Sequence, residues 1–183
     1  MEVKGTGLVS LRAYIKEYHA QDYQTWLNAL PKSAKNVFAN VITTSGWFSI
    51  DEVYYQALKV TAELFYEGNQ KQAAYQVGLF SANFDLKGVY KVFLMIATPV
   101  ALMKASKRII AMYYRPVDVK IDEVQKNSLV LSSTLLHRES EMIDYLNIAW
   151  CVRALELANC KNVDYKKVDP IYEDMFSVQL SWS

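Results

Sequence analysis

The feature that most constrains this fold is a change in hydrophobic period after residue 115. Before that point, apolar residues recur mostly three or four positions apart, which predicts a succession of helices. After Pro116, short segments of alternating apolar and polar residues predict two strands, one helix and two further strands. The predicted fold class is α+β, with an N-terminal helical half followed by a ββαββ antiparallel sheet layer. The elements of this tail are predicted at residues 117–122, 128–136, 140–159, 162–168 and 176–182.

Two helix starts in the N-terminal half carry clear capping signals. Ser49 and Glu52 are spaced as a capping box, in which the serine hydroxyl accepts a hydrogen bond from the amide three residues later. Thr98 suits an N-cap and Pro99 suits the first helical position, so the apolar run around them is predicted to divide there. The other helices of this half are predicted at residues 8–19, 22–30, 31–42, 70–84 and 86–97.

The predicted helix at residues 70–84 has a face of small residues. Ala74, Gly78, Ser81 and Ala82 recur at helical spacing, so another group can approach this backbone closely. Either a neighbouring helix or a flat ligand could fill that space.

Tyrosine is the compositional excess of the chain, with 13 residues. Tyr54-Tyr55 and Tyr113-Tyr114 are adjacent pairs on predicted helices, so each pair spans two helix faces. Tyrosine combines apolar area with a hydroxyl group, which suits interfaces and pocket walls. Core packing with the hydroxyl at the surface accounts for most of these residues.

Length and composition limit the class of protein. The 183 residues are 52% apolar, which is enough to form one domain with a sizeable core. We predict a single domain over residues 1–183, with a helical subdomain at 1–115 and a ββαββ subdomain at 116–183. The net charge of +1 provides no general attraction for nucleic acid, so none is predicted as a partner.

The same sequence features predict a cytoplasmic protein. The N-terminus has no apolar segment typical of a secretion signal. The longest apolar run, residues 92–103, is shorter than the about 20 residues of a membrane span. Cys151 and Cys160 fall on one predicted helix, about 13 Å apart along its axis, which is too far for a disulfide and predicts reduced thiols.

Several short segments, together with the order of the elements, carry a family resemblance. These segments are Gly5-Thr6-Gly7-Leu8, Tyr14-Ile15, residues 23–27, 45–48 and 77–80, Pro99 and the ββαββ tail. In these features the chain resembles the haem–nitric-oxide-binding (H-NOX) domains. It also resembles their wider group, which includes the 4-vinyl reductase-type domains and the Golgi transport-particle (TRAPP) subunits. Among these it is most similar to uncharacterised bacterial relatives that lack the haem ligands.

The resemblance implies two haem-binding features that this chain does not have. A proximal histidine should lie in residues 86–114, but the two histidines of the chain are His19 and His137. A Tyr-x-Ser-x-Arg signature should fall on the hairpin, but residues 129–135 contain neither tyrosine nor arginine. We therefore predict that the chain binds no haem and has no other cofactor.

The sequence predicts no metal site and no catalytic residues, so we do not expect an enzyme. His137 could titrate near neutral pH, but no nucleophile or metal cluster is spaced to work with it. Neither Cys151 nor Cys160 has a histidine nearby in the sequence, and a buried thiol is the expected state of both. The roles of these three residues stay open.

The resemblance implies a sensory or regulatory domain that binds a small apolar ligand of unknown identity. Ligand occupancy would be transmitted to a signalling partner or within a homodimer. The alternative is a protein–protein interaction module with a filled core, like the transport-particle subunits, and an enzyme is the least favoured function. By analogy with the family, the pocket is predicted between the small-residue helix, the Pro99 helix and the sheet. Its predicted lining is Trp47, Val77, Phe80, Phe84, Phe93 and Met103.

Overall fold

The computed structural model describes residues 1–86 and 98–183. The predicted helix at 86–97 lies outside the described residues, apart from Leu86. The described helices are α1 (Gly5–Tyr18), α2 (Tyr23–Ala29), α3 (Lys32–Phe38), α4 (Tyr55–Phe65), α5 (Gln70–Asp85), α6 (Pro99–Tyr113) and α7 (Met142–Leu157). A 3-10 turn (Ala20–Asp22) precedes α2, and a π-helical segment (Ile50–Tyr54) leads into α4.

The C-terminal tail forms the predicted antiparallel sheet, and the α+β class is confirmed. Its strands are β4 (Val119–Asp122), β5 (Ser128–Thr134), β6 (Asp164–Val168) and β7 (Met175–Ser181). They lie in the order β4-β5-β7-β6, and β5 pairs with β7 along its whole length. Helix α7 joins β5 to β6, and its Tyr145 ring meets the Phe176 ring of β7 edge to face, 5.6 Å between centroids. The helix thus packs across the sheet, as the sequence predicts.

A second, smaller sheet was not predicted. It consists of β1 (Glu2–Lys4), β2 (Trp47–Ser49) and β3 (Tyr114–Arg115), in the order β2-β1-β3 and with antiparallel pairing. Val3, which is fully buried, pairs with Phe48 on one side and with Tyr114 on the other. The N-terminal strand β1 therefore pairs with both β2, which precedes α4, and β3, which follows α6.

Helix α7 fills the small-residue face of α5. A side chain added at Gly78 would place its Cβ 2.7 Å from the Ala149 Cβ and closer still to the Leu146 carbonyl oxygen, both on α7. Real Cβ atoms do not approach other atoms so closely, so the two backbones can meet here because residue 78 has no side chain. Of the two occupants left open by the sequence, the neighbouring helix is the one observed.

Both predicted helix starts are capped by the predicted side chains. The Ser49 hydroxyl accepts from the Glu52 amide at 3.2 Å, although the turns that follow are π-helical before α4 begins. The Thr98 hydroxyl accepts from the Ala101 amide at 3.2 Å, and Pro99 is the first residue of α6. Among the helices described, none is both long enough and apolar enough to cross a membrane.

Removing the α6 cap should destabilise the protein without changing its fold. The variant Thr98→Ala leaves the Ala101 amide without its side-chain acceptor, and we expect the free energy of unfolding to fall by about 1 kcal/mol. Urea denaturation followed by circular dichroism measures this change. Thr98→Ser keeps the hydroxyl and should restore most of the loss; an equal loss in both variants would contradict the capping role.

Candidate ligand site

A small cavity lies where α1, α5, α6 and α7 meet. Its volume is about 30 Å³, which is enough for one or two water-sized molecules. Apolar side chains, such as Ile109 and Leu146, form part of the wall. The polar or aromatic groups that face the cavity come mainly from these helices and from β3, and they include Tyr54, Asp85, Tyr113, Tyr114, Asn147 and Trp150.

Asp85 supplies the carboxylate of this cavity. It is the last residue of α5, and its Oδ2 accepts a hydrogen bond from the Trp150 Nε1 at 3.2 Å. The Tyr113 hydroxyl donates to the same carboxylate. Burial raises the pKa of Asp85, and these two hydrogen bonds lower it by a smaller amount. Both donors are neutral, so they orient the carboxylate but do not balance its charge.

The tyrosines around Asp85 are held as neutral phenols. Burial raises the pKa of Tyr54 and Tyr113, and the nearby charge of Asp85 raises both further. Tyr114 is also buried, which raises its pKa, and its hydroxyl donates to Asn147 Oδ1 at 3.1 Å. The Asn147 Nδ2 atom is buried and has no partner among the described residues. The cavity wall thus contains a donor that a bound molecule could satisfy.

An adjoining cleft of about 230 Å³ extends the cavity past Asp85. Cavity and cleft share four wall residues, namely Asp85, Ile109, Tyr113 and Trp150. Beyond them the cleft is lined by Leu86 and Met112, with Lys4 and Thr6 of the N-terminal segment also in its wall. Asp85 therefore belongs to the wall of both the cavity and the cleft.

The described residues predicted to line a pocket are not in the walls of this cavity or the adjoining cleft, but Phe80 lines a separate cleft of about 430 Å³ beside His19. Trp47 belongs to β2, where the Arg115 guanidinium stands 4.2 Å from the centroid of its ring. Val77 and Met103 are fully buried in the core. Phe80 packs between Tyr14 and Phe84, and Phe93 is outside the described residues. None of the five described residues is in the cavity wall.

One residue of the predicted lining, Val77, is on the same side of α5 as the cavity. Val77, Ser81 and Asp85 are spaced by four residues and so lie on one stripe of the helix. Around Gly78, α7 packs directly against α5 and leaves no space. The cavity begins one turn further along α5, at Ser81. Tyr54, Tyr113 and Tyr114, which belong to the two tyrosine pairs, line the cavity, although the expectation for most tyrosines was core packing. Asp85 had no sequence signal, because one acidic residue at a helix end normally faces solvent.

Both histidines lie away from the cavity. His137 is buried and stacks on Tyr55, with ring centroids 3.8 Å apart; its Nε2 is 3.6 Å from an Asp51 carboxylate oxygen. Its Nδ1 accepts a hydrogen bond from the Glu139 amide at 3.3 Å. His19 stacks on Phe65 at 3.8 Å between ring centroids, and burial lowers its pKa.

The two cysteines are buried, unpaired thiols. Cys151 is in the middle of α7, and burial raises the pKa of its thiol to about 12. Burial also raises the pKa of Cys160, just beyond the end of the helix. Because the thiolate is the reactive form, these environments disfavour nucleophilic chemistry at both residues.

Comparisons with known proteins identify the fold. No family model and no curated protein matches the chain. Among solved structures it is similar to the Fe(II) unliganded H-NOX protein from K. algicida, with 12% identity, TM-score 0.70 and 98% and 96% of the two chains covered. It is also similar to the S. oneidensis H-NOX protein in the Fe(II)NO state, with 11% identity, TM-score 0.72 and 98% and 99% covered. At these identities the likeness shows that the chain has an H-NOX-like fold.

The side chains that could hold haem iron can be placed within the described residues. The cavity at Asp85, with about 30 Å³, is about a tenth of the volume at which small-molecule pockets begin, whereas a separate cleft lined by His137 has about 1040 Å³. Histidine, cysteine, tyrosine and methionine are the side chains that commonly hold haem iron. Neither histidine reaches the cavity, Cys151 is protonated, and the cavity tyrosines are phenols whose raised pKa values oppose the phenolate that iron would need. Residues 87–97 contain neither histidine nor cysteine, but they include Tyr90 and Met95.

Proposed function

We propose that this protein is a non-haem, H-NOX-like domain that binds a small molecule and regulates a partner. The observation that carries the proposal is the cavity lined by Asp85 and several phenols, which adjoins an apolar-walled cleft inside an H-NOX-like fold. Folded proteins rarely keep a carboxylate, an unpaired amide donor and several phenols together in their interior without a use for them. A bound molecule would satisfy these groups.

The position of the cavity suggests how occupancy could be transmitted. Tyr114 contributes to the cavity and also belongs to β3, where it flanks Val3 of β1. A ligand that contacts Tyr113 and Tyr114 would therefore act on the small sheet that joins the N-terminus to β2. If the ligand binds one arrangement of this sheet more tightly than another, it shifts their populations, and a partner or a second copy of the chain can respond.

We also propose that the domain is not an enzyme. Catalysis by acid–base or nucleophilic groups needs a free base beside the reacting atom. In the described part of the chain, the Nδ1 of His137 already accepts a hydrogen bond and both thiols are buried, while Asp85 faces neutral donors.

Haem binding and small-molecule binding can be tested on one preparation. We expect the purified protein, incubated with hemin under reducing conditions, to show no Soret shift beyond that of free hemin. Native mass spectrometry after incubation with a metabolite extract should show a discrete adduct, and Asp85→Asn should reduce its abundance. A stoichiometric Soret complex would overturn the non-haem proposal, and an adduct-free spectrum at all extract concentrations would overturn ligand binding.

The alternative function is an interaction module with a filled core. The closure of α5 on α7 at Gly78 and the small size of the enclosed cavity favour it. The two proposals differ in the effect of small molecules on stability. A ligand-binding domain gains stability in proportion to the logarithm of ligand concentration, whereas a filled module shows no such gain.

A further inference from the structure

The Asp85 carboxylate has no cationic partner among the described residues. The ion pairs found there do not include Asp85, and its hydrogen-bond donors, Trp150 and Tyr113, are neutral. Lys4 also lines the cleft, but its Nζ lies 5.9 Å from the centroid of the Trp47 ring and forms no ion pair with Asp85. A partly buried carboxylate without a counter-charge is costly, and a cationic ligand would supply that charge.

The walls beside Asp85 suit an organic cation. The Trp150 and Tyr113 side chains line both the cavity and the cleft, and Tyr54 and Tyr114 line the cavity behind them. Aromatic faces attract ammonium groups, and tryptophan and tyrosine do so most strongly. On the cleft side, Ile109 and Met112 form an apolar surface next to the carboxylate.

We infer that the site binds a small organic ammonium ion with a short apolar substituent. The ammonium group lies against the Asp85 carboxylate among the aromatic side chains, and the substituent extends along Ile109 and Met112 in the cleft. This inference rests on the proposed ligand-binding function and names the class of ligand. It departs from the apolar ligand suggested by the sequence, because the charge of Asp85 would be left unbalanced by an apolar molecule.

A metal ion does not fit the same groups. Calcium and magnesium take six or more oxygen ligands, and Asp85 provides a single carboxylate whose neighbours donate hydrogen bonds to it. In the described ranges no three histidine, cysteine, aspartate or glutamate residues come together. An ammonium group needs one carboxylate and aromatic walls, which are the groups present.

The test compares n-butylammonium chloride with 1-butanol, which has the same number of heavy atoms but no charge. Binding is followed by titration in two-dimensional ¹H–¹⁵N spectra, where the indole signal of Trp150 reports the hydrogen bond to Asp85. The variant Trp150→Phe identifies that signal. We expect n-butylammonium to shift it and to bind at least about tenfold more tightly than 1-butanol. Asp85→Asn should remove this preference, whereas Asp169→Asn, an exposed change of the same chemistry, should preserve it.

Two results would overturn the inference. Equal binding of the amine and the alcohol would show that the site does not recognise charge, and no shift of the Trp150 signal with either probe would show that neither occupies it. In both cases, native mass spectrometry with the metabolite extract decides separately whether the domain binds another class of molecule. If Asp85→Asn fails to fold, the comparison of the two probes on the natural protein still decides the matter.

Discussion

Replacing Gly78 with alanine should lower the free energy of unfolding by at least about 3 kcal/mol, or prevent folding altogether. The added methyl would overlap the Leu146 carbonyl and the Ala149 side chain of α7. A carbonyl of a helix backbone cannot rotate away, so α5 and α7 would have to separate. The same contact positions Leu146 and Asn147 at the cavity, and the variant should therefore also weaken ligand binding.

The direction of the expected stability change distinguishes a clash with α7 from an effect of helix propensity. At an exposed helical position, glycine to alanine stabilises a protein by about 1 kcal/mol, because alanine favours the helix. Chemical denaturation of Gly78→Ala should therefore show a change opposite to that expected from helix propensity. Gln76→Ala, on the exposed side of α5, is the matched control and should shift stability by less than about 0.5 kcal/mol. A stabilised Gly78→Ala variant would mean that α5 and α7 do not pack as described.

The parts of the fold that the sequence predicts are those with strong local signals. Alternation along β4 and β7 identifies strands, and Thr98 followed by Pro99 identifies the start of α6. Because each of these signals lies within a few neighbouring residues, it needs no knowledge of tertiary contacts. The order of these elements was enough to suggest the H-NOX-like fold.

The small sheet could not be predicted in the same way. Its strands have two or three residues, which is too short for a period of two to stand out. They form because Val3 meets Phe48 and Tyr114, residues far away in the chain. Such pairing depends on the packing of α1, α4 and α6, and no local pattern encodes it.

The lining predicted from the sequence and the wall of the cavity share two helices, α5 and α6, but no residue. Helical spacing places Val77, Ser81 and Asp85 on one stripe, but it does not say at which turn the neighbouring helix departs from α5. Large apolar residues were favoured as pocket walls, and Val77 and Met103 instead fill the core. The cavity occurs where polar groups from several helices converge, which only tertiary structure reveals.

Replacing Asp144 with asparagine should change how stability depends on pH. Asp144 lies in the first turn of α7 and is 2% exposed. Burial raises the pKa of its carboxyl to about 8, while the nearby backbone amides of Leu136 and Asp144 lower it by less. In the unfolded chain an aspartate has a pKa of about 3.9. The folded protein therefore binds one more proton than the unfolded chain between these two values, and its stability falls as pH rises through that window.

Because of Asp144, the free energy of unfolding should fall by about 1.4 kcal/mol per pH unit, and by less per unit close to pH 8. The total decrease between pH 5 and pH 8 is then about 3.5 kcal/mol. An asparagine side chain cannot ionise, so in Asp144→Asn this loss should disappear, and the variant should be the more stable protein at pH 8. Urea denaturation at pH 5, 6.5 and 8 measures the difference in unfolding free energy between the variant and the natural protein. The other titrating groups are the same in both proteins, so their contributions cancel in this difference. Asp169→Asn, on an exposed loop, should give a curve parallel to that of the natural protein. Parallel curves for Asp144→Asn as well would show that Asp144 is ionised in the fold, with a counter-charge that balances it.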